Sequence, residues 1–295
     1  MSDPMPAPPA VSLVVSTIGR PEQLQRLMDS LTRLADPALV EFILVDQTED
    51  RASAHYVEAG NWPFPARTTT SPRGLSLGRN TGLELATAPI VAFPDDDCWY
   101  EHDVVSQVVW FLDRHSDLAG VSGIQLTMDG RDSMLRWVQE PTWITRKNFY
   151  RTAISSTLFL RTHIVRELGG FDETLGAGST EGYLSGEESD LVLRVLAAGY
   201  RLRYEPRLVV RQDEPRDDLP DNYTDKMAGY GRGFGRLFAD HRLSPALFAG
   251  LLGRKVAAAS VHRLRGQAEL ASADTAFLSG AVAAYRQRSQ ERPGA

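Results

Sequence analysis

The sequence has little cysteine, no excess of basic residues and no long apolar run. Cys98 is the single cysteine in 295 residues, which excludes a disulfide framework and a cysteine-based zinc site. Acidic residues outnumber basic ones by 38 to 32, and the net charge of -6 argues against a general nucleic-acid binder. The longest apolar stretch, 245–253, is far shorter than the roughly 20 residues of a membrane-spanning helix. Hydrophobic residues still make up 42% of the chain, which is enough for a substantial core.

The first ten residues predict neither a folded element nor a secretory leader. Residues 1–10 are rich in proline, carry Asp3 and contain no Lys or Arg. A leader begins with basic residues and continues with an apolar run. We therefore expect residues 1–10 to be disordered. Together with the lone cysteine, this pattern predicts a cytoplasmic protein.

Strand and helix patterns alternate along most of the chain. An apolar, β-branched run over 11–16 predicts a buried strand, and apolar residues recur at helical spacing over 24–34. A second apolar run over 41–45 completes a βαβ unit, which implies a parallel sheet with a right-handed crossover. A polar linker follows over 211–222, and the helical pattern resumes at Tyr223. We expect an α/β domain over 11–215 and a helical C-terminal extension over 216–295.

Charge is distributed unevenly between these two parts. From Asp221 onward 11 basic residues face 6 acidic ones, a net charge of +5, which leaves -11 for the first 220 residues. Basic residues with aromatic and leucine neighbours suggest helices that contact an anionic membrane at its inner face. Packing on the acidic body and a homodimer contact are the alternatives. The alternating glycines of the region favour close packing over a free helix; they are Gly229, Gly231, Gly233 and Gly235.

Three consecutive carboxylates follow the apolar run over 90–93. Asp95, Asp96 and Asp97 stand where we expect a buried strand to end. In an open α/β sheet this edge is where ligands bind. Clustered carboxylate oxygens suit Mg²⁺ or Mn²⁺, whose usual partner is a diphosphate. An acidic turn that caps the next helix is an equally good interpretation of these residues alone.

A second acidic pair, Glu187 and Glu188, begins an amphipathic helix. Acidic residues in a first helical turn are favoured by the helix dipole, so a purely structural role explains them. The functional interpretation is a general base that takes a proton from an attacking hydroxyl. Several glycines precede the pair and would give a loop that places a carboxylate in a cleft; they are Gly176, Gly178, Gly182 and Gly186.

Two weaker signals lie on the same predicted sheet edge. The segment 73–82 combines two arginines with three glycines near a helix start, which allows close backbone approach to a phosphate. Asp46 follows the second strand, where a carboxylate often contacts a base or ribose. A turn-forming aspartate explains Asp46 equally well.

The order of these segments resembles the family 2 glycosyltransferases, which have the GT-A fold. The resemblance covers about two thirds of the chain, from Val11 to Gln212. The segments that carry it are 11–31, 41–50, 73–99 and 169–206. It implies a mostly parallel, Rossmann-like sheet flanked by helices, a nucleotide-sugar donor, Mn²⁺ or Mg²⁺, and inversion at the anomeric carbon. The turn over 95–97 would be the DXD motif of the family.

The resemblance also implies roles for individual residues. Thr17 and Asp46 would contact the base, Asp95 the ribose, and Asp97 the metal that bridges the diphosphate. The nucleotide-binding set is Thr17, Arg20, Asp46, Gly74, Arg79, Asp95 and Asp96. Glu188 would be the general base, with Glu187 beside it. Apart from the resemblance, Asp190, Trp137 and Trp143 are the candidate acceptor residues. The two tryptophans could stack on an acceptor sugar, and both are also explained as packing anchors.

Two positions depart from the family pattern. Relatives often carry a metal-binding His after the last strand, and the corresponding position here is Gln212. A neutral amide oxygen is a poorer Mn²⁺ ligand, and the neighbouring Asp213 is an alternative. Glu188 stands where the family usually has Asp, so its side chain reaches one methylene further. Asp95, Asp97 and Gln212 are therefore the expected metal ligands.

The resemblance therefore implies an inverting glycosyltransferase. It would move a sugar from a nucleotide-diphosphate donor, with a UDP-sugar favoured, to a hydroxyl of a glycan, a lipid-linked acceptor or a small molecule. Polysaccharide biosynthesis is one setting for such a reaction. A nucleotidyltransferase that makes nucleotide sugars is an alternative, although the loop over 17–20 is short for that chemistry. A nucleotide-sugar or glycan-binding module without activity is another, and Gln212 is the feature that favours it.

Overall fold

The computed structural model describes residues 8–214 and 219–291. Most of the predicted disordered segment 1–10 therefore lies outside the described residues. The described chain forms two compact units. The first comprises residues 8–73, 77–170 and 194–214, and the second comprises residues 74–76, 171–193 and 219–291.

The predicted βαβ unit opens the first compact unit. Strand β1, Val11–Thr17, pairs in parallel with strand β2, Val40–Asp46, in a register that places Thr17 beside Asp46. Between them helix α1, Pro21–Thr32, begins with proline at a position where its missing N–H costs nothing. The apolar residues of α1 at helical spacing are buried; they are Leu24, Leu27, Met28 and Leu31. The two strands therefore end at one edge.

The remaining strands and helices up to residue 212 follow in short succession. They are α2 Ala52–Ala59, β3 Ala66–Thr70, α3 Leu75–Leu85, β4 Ile90–Ala92, β5 Cys98–Tyr100, α4 Val104–Arg114, β6 Leu118–Leu126, β7 Thr142–Trp143, β8 Leu158–Arg161, α5 Thr162–Glu167, α6 Glu187–Ala197 and β9 Arg201–Gln212. The strands form one sheet in the order β3-β2-β1-β4-β8-β6-β9-β5, with β7 beside β9. The predicted α/β architecture is confirmed.

The sheet is parallel on one side and mixed on the other. Strands β3, β2, β1 and β4 run parallel to one another. Strand β8 is antiparallel to both β4 and β6, and β5 is antiparallel to β9. Since β1, β2 and β4 share a direction, their carboxyl ends bring residues 17, 46 and 95–97 to the same edge.

Strand β9 is longer than the sequence pattern predicts. The polar stretch that begins at residue 211 predicts a linker, yet β9 continues through Gln212. Its last residues pair with β5, and Gln212 lies directly opposite Cys98. This register places Gln212 next to the turn formed by Asp95, Asp96 and Asp97. We call this segment the carboxylate turn.

The second compact unit ends in three helices, α7 Tyr223–Asp240, α8 Pro245–Leu264 and α9 Ala268–Gln290. The glycines of α7 lie where a Cβ atom would overlap a neighbour: Gly231 faces the Phe277 carbonyl, Gly235 the Ala281 carbonyl, Gly233 the Ser185 carbonyl and Gly229 the Leu184 side chain. The prediction of close packing for these glycines is confirmed. Aromatic residues fill the rest of the interface; they are Phe234, Phe238, Phe248, Phe277 and Tyr285. Within the described residues, every helix is too short or too polar to span a membrane.

Candidate functional site

The carboxylate turn lies at the end of the central strand β4. Phe93 is buried behind it, and the Cys98 N–H donates a hydrogen bond to the Asp95 carbonyl over 3.2 Å. This bond closes a tight turn, so the three aspartates point in different directions. Each carboxylate consequently meets a different set of neighbours.

Asp96 points into the protein. Its carboxylate accepts a hydrogen bond from the Thr17 hydroxyl over 2.5 Å and forms an ion pair with Arg20. Burial raises the pKa of Asp96, and the charge of Arg20 opposes that shift. Since Thr17 ends β1 and Arg20 precedes α1, Asp96 fastens the carboxylate turn to the neighbouring strand and helix. Its side chain is only 1% exposed, which leaves it little access to a ligand.

Asp95 is held by a buried arginine. The Arg79 guanidinium of α3 donates hydrogen bonds to Asp95 Oδ1 over 3.0 Å and to the Ser155 hydroxyl over 2.9 Å. Arg79 is 1% exposed, whereas the Asp95 side chain is 28% exposed. The arginine therefore lies behind the carboxylate and orients it. Asp95 keeps part of its surface open to solvent.

Asp97 accepts a hydrogen bond on each of its carboxylate oxygens. Arg20 donates to its Oδ2 over 2.6 Å, and the Gln212 amide donates to its Oδ1 over 2.6 Å. Burial alone lowers the pKa of Arg20, but the charges of Asp97 and Asp96 outweigh it and raise that pKa above its usual value. Arg20 therefore stays charged beside the carboxylate turn.

Gln212 belongs to a buried hydrogen-bond chain. Its Oε1 accepts from the Gln125 amide, and Gln125 Oε1 accepts from the Ser156 hydroxyl over 2.6 Å. Ser156 and Gln125 are fully buried and Gln212 is nearly so. Because each amide is fixed by the next partner, Gln212 presents its NH₂ group, not its oxygen, to Asp97. In this arrangement Gln212 therefore donates a hydrogen bond to Asp97.

The chemistry of the donors at the carboxylate turn fits a hard divalent cation. Oxygens of Asp95 and Asp97 and the Cys98 sulfur lie within 4.8 Å of one another. Burial, and then the charges of Asp97 and Asp95, raise the pKa of the Cys98 thiol well above its usual value. A protonated, buried thiol is a poor ligand for Mg²⁺ or Mn²⁺, whereas two partly exposed carboxylates are good ones. The two aspartates are therefore the ligands that the turn offers.

A cleft of about 370 Å³ opens beside Asp97. Arg20 and Gln212 line it together with Arg26 and Asp213, which form an ion pair over 2.9 Å. The Arg26 guanidinium also lies 3.9 Å from the centre of the Trp99 ring. The cleft thus combines two arginines with three carboxylates, those of Glu22, Asp97 and Asp213. Such a mixed set suits an anionic ligand that brings a cation with it.

Asp46 and the glycines of α3 have structural partners. The Asp46 carboxylate is buried and accepts from the Thr48 N–H and hydroxyl and from the Ala54 N–H. It therefore fixes the loop that leads into α2. Gly78 and Gly82 let α3 lie directly on β1, since a Cβ atom at either position would overlap Ser16 or Val14. The nucleotide contacts assigned to Asp46 and Gly74 remain predictions.

The second compact unit carries the other acidic cluster. Glu187, Glu188 and Asp190 lie in the first turn of α6, where the helix dipole favours negative charge. Glu187 is buried, and its carboxylate group would be 3.2 Å from a Cβ atom placed on Gly176. Glu188 is half-buried. Asp190 meets His241, the residue that follows α7, with 2.7 Å between Oδ1 and Nε2.

The glycine-rich loop before α6 has backbone conformations that residues other than glycine rarely adopt. Gly176 and Gly186 both have positive φ, at 97° and 99°. The Gly176 N–H donates to the Tyr183 carbonyl over 2.9 Å, and the Ser76 hydroxyl donates to the Leu175 carbonyl over 2.6 Å. This loop thus has a defined shape, and it leads directly to Glu187 and Glu188.

The two tryptophans of the predicted acceptor side differ in exposure. Trp137 is 2% exposed, stacks on Tyr204 and donates to the Ser133 carbonyl over 3.0 Å. This is the packing arrangement that the alternative interpretation predicts. Trp143 is 41% exposed, and Arg201 lies 4.0 Å from its ring centre. Of the two, Trp143 is the exposed one, and both Arg201 and Arg203 lie over its ring. Its stacking on a sugar remains a prediction.

Sequence patterns missed several residues that hold the site together. Gln125, Ser155 and Ser156 are buried polar residues whose partners are far away in the sequence. A polar residue within an otherwise apolar strand, such as Gln125 in β6, was the available signal. No sequence pattern singles out His241, yet it contacts Asp190.

Comparisons with known proteins agree with this architecture. The chain has an α/β fold, and its carboxylate turn lies where parallel strands end, the edge at which open α/β sheets generally bind ligands. A family model described as glycosyl transferase family 2 matches residues 12–165, more than half of the chain. The chain belongs to this family.

The curated relatives are longer than this chain. A pre-mycofactocin glycosyltransferase from Mycobacterium tuberculosis (strain CDC 1551 / Oshkosh) is 28% identical over 311 residues. That alignment covers 97% of this chain and 61% of the relative. The chain thus spans about three fifths of the length of the curated relatives it matches.

Solved structures show the same GT-A fold at low sequence identity. A mannosyltransferase from Pyrobaculum calidifontis, solved with GDP-Man and Mn²⁺, has a TM-score of 0.59 and 18% identity, and the match covers 99% of this chain and 79% of that one. TarS from S. aureus has a TM-score of 0.57 and 17% identity, with 95% of this chain and 55% of that chain covered. At these identities the likeness concerns the fold alone.

Proposed function

We propose that this chain is an inverting glycosyltransferase that uses a nucleoside-diphosphate sugar and a hydroxyl acceptor. The observation that carries the proposal is the pair of partly exposed carboxylates, Asp95 and Asp97, at the end of parallel strands. Both are oriented from behind by buried hydrogen-bond donors. A preorganised pair of this kind suits a divalent cation and a diphosphate.

The donor side is assigned to the first compact unit. Asp95 and Asp97 would hold Mn²⁺ or Mg²⁺, and a bound cation would neutralise charge on the leaving diphosphate. Arg20 is permanently charged beside them and would contact the diphosphate. Asp96 has a positioning role, because its carboxylate is already engaged by Thr17 and Arg20. Arg79 likewise orients Asp95.

The proton acceptor is assigned to Glu188. Its half-buried carboxylate stands in the first turn of α6, at the position that matches the family's base. As the acceptor hydroxyl attacks the anomeric carbon, its oxygen forms the new glycosidic bond while the bond to the diphosphate breaks. The hydroxyl proton passes to Glu188. A single displacement of this kind inverts the anomeric configuration.

The acceptor is the least constrained part of the proposal. A glycan, a lipid-linked acceptor or a small molecule would each offer the required hydroxyl. The curated relative is named for pre-mycofactocin, which makes that compound the first acceptor to test. Solved neighbours hold UDP-GlcNAc in one case and GDP-Man in another, so both donor classes belong in the assay.

The experiment is a donor-turnover assay on the wild type, Glu188→Gln and Glu269→Gln. UDP-, GDP- and dTDP-sugars are supplied with Mn²⁺ and a pool of hydroxyl acceptors, and release of nucleoside diphosphate is measured. We expect turnover with one donor class, and a fall of at least about 10²-fold in Glu188→Gln. Glu269, in the first turn of α9, is the matched control and should leave turnover unchanged. Full turnover in Glu188→Gln would show that Glu188 is not the general base.

A binding module without activity is the second candidate. The observation that favours it is Gln212, whose amide presents NH₂ and not an oxygen to Asp97. Such a module would bind a nucleotide sugar and release no diphosphate in the assay above. Release of pyrophosphate from a nucleoside triphosphate and a sugar 1-phosphate would instead indicate a nucleotidyltransferase.

A further inference from the structure

Helix α8 turns an apolar face to solvent. Of its 20 residues, Phe248 alone is buried. Val256, Val261 and Leu264 are 52%, 43% and 88% exposed. The exposed apolar and small residues recur at spacings of three and four and so share one side of the helix; they are Ala249, Gly253, Val256, Ala257, Val261 and Leu264. We call this side the outer face of α8.

The rotation of α8 about its axis is fixed by its opposite side. Lys255 and His262 both reach Asp274 of α9, with contacts of 2.5 Å and 2.9 Å. Phe248 stacks on Tyr285 with 4.5 Å between ring centres. Asp274 is buried, so these contacts lock the inner side of the helix against α9. The outer face therefore cannot turn inward without breaking a buried ion pair.

The charges on α8 are all of one sign. The helix contains no Asp or Glu from residue 245 to residue 264. Arg254, Arg263 and Arg265 are exposed. At 100° per residue, Arg263 borders the outer face on one side and Arg254 borders it on the other, and Arg265 follows directly after the end of the helix. An apolar stripe between two basic edges is the pattern of a helix that lies on an anionic bilayer surface.

The apolar residues that suggested membrane contact from sequence alone are different ones. Phe238 and Phe248 are buried in the helical unit, and the half-buried Phe234 packs on both. The two buried rings are therefore unavailable to a membrane in this structure. The outer face of α8 consists of smaller residues that the periodicity of the sequence did not distinguish.

We propose that the outer face of α8 docks on an anionic lipid surface. The small residues alone would also admit a second copy of α8, because they allow close helix approach. Charge decides between the two. Two copies packed through this face would bring arginine edges together with no acidic residue of α8 to compensate them, whereas anionic headgroups neutralise both edges.

The test is flotation of the full chain with lipid vesicles. Vesicles of phosphatidylglycerol and phosphatidylcholine are compared with vesicles of phosphatidylcholine alone, at low and high salt. We expect binding to the anionic vesicles only, weakened by salt. Val261→Asp with Leu264→Asp should reduce the bound fraction about tenfold or more. Arg254→Gln, Arg263→Gln and Arg265→Gln together should do the same.

Two matched controls separate docking from general effects. Met128→Asp replaces an exposed apolar residue of the first compact unit, and Arg286→Gln removes an exposed arginine of α9. Both should bind like the wild type. Equal binding to both kinds of vesicle, or unchanged binding of the α8 variants, would overturn the proposal. A dimer in light scattering that Leu264→Asp dissociates, without vesicle binding, would instead assign the face to a second copy.

Discussion

The Gln212 amide donates a hydrogen bond to Asp97 Oδ1 over 2.6 Å. The contact follows from the register of β5 and β9, which sets Gln212 opposite Cys98 and beside the last aspartate of the carboxylate turn. The same amide is anchored through Gln125 to Ser156 in the buried interior. Asp97 is thus held by the core of the sheet as well as by Arg20.

The first prediction concerns the hydrogen bond that Gln212 donates to Asp97. Gln212→Leu removes the hydrogen bond that orients Asp97, so Mn²⁺ affinity should fall about 10- to 100-fold, as it does when a metal ligand loses its supporting partner. Calorimetric titration with Mn²⁺ measures the effect. Gln107→Leu, on the surface of α4, is the control and should bind as the wild type. Equal affinity in Gln212→Leu would show that the chain from Ser156 does not support the metal site.

The second prediction concerns the positive charge of Arg20. Arg20→Met removes a guanidinium that already occupies Asp97 and Asp96, so Mn²⁺ alone should bind about tenfold more tightly. Nucleotide affinity in the presence of Mn²⁺ should fall, because a diphosphate contact is lost. Titrations with Mn²⁺ and then with nucleotide separate the two effects. Arg33→Met, at the end of α1, is the control; weaker Mn²⁺ binding in Arg20→Met would refute the competition.

The third prediction concerns a buried carboxylate away from the site. Glu41 of β2 accepts hydrogen bonds from Ser12 and Thr87 and pairs with Arg67. Burial favours the neutral form, but these partners outweigh it and lower the pKa of Glu41. A carboxyl with a lowered pKa stabilises the folded state above its unfolded pKa, and that contribution is lost as the pH falls.

Glu41→Gln should therefore lower the free energy of unfolding at pH 7 by roughly 1–3 kcal/mol. The difference from the wild type should shrink on acidification below the ordinary pKa of a glutamate. Denaturant titrations at several pH values measure it. Glu84→Gln changes an exposed glutamate of α3 and should have little effect. A difference that stays constant with pH would contradict the assignment.

The fourth prediction compares two glycines of the helical unit. Gly231→Ala places a methyl group against the Phe277 carbonyl of α9, whereas Gly250→Ala meets no atom within 4 Å. The first should destabilise the protein by about 1–3 kcal/mol through overpacking. The second should stabilise it by up to about 1 kcal/mol through helix propensity. Thermal unfolding of both variants measures the two changes in stability. Changes of the same sign would show that α7 and α9 pack differently.

Much of the sheet edge could be predicted, because its signals are local. Apolar runs predicted β1 and β2, and three consecutive aspartates after an apolar run predicted the turn over 95–97. The end of β9 could not be found in the same way. Arg211 and Gln212 look like linker residues, yet Arg211 pairs with Glu101 and Gln212 with Asp97, partners about a hundred positions away. Polar residues that are satisfied by distant partners carry no local strand signal.

Strand β3 and the outer face of α8 escaped prediction for different reasons. Residues 66–70 of β3 are at most half-buried, so no apolar alternation marks them. In α8 the periodicity does reveal apolar residues, but it cannot say which of them a neighbouring helix covers. That depends on the contacts of Lys255 and His262 with Asp274. Tertiary contacts of this kind appear only in the folded chain.

The most direct test of the account is calorimetric titration with UDP, GDP and dTDP, with and without Mn²⁺, on wild type, Asp97→Asn and Asp113→Asn. Asp113 is an exposed aspartate of α4 that does not line the cleft, so its variant serves as the control. We predict that Mn²⁺ strengthens binding of one nucleotide at least tenfold in the wild type and in Asp113→Asn, and has no such effect in Asp97→Asn. Metal-independent binding in the wild type, or an unchanged response to Mn²⁺ in Asp97→Asn, would contradict the account.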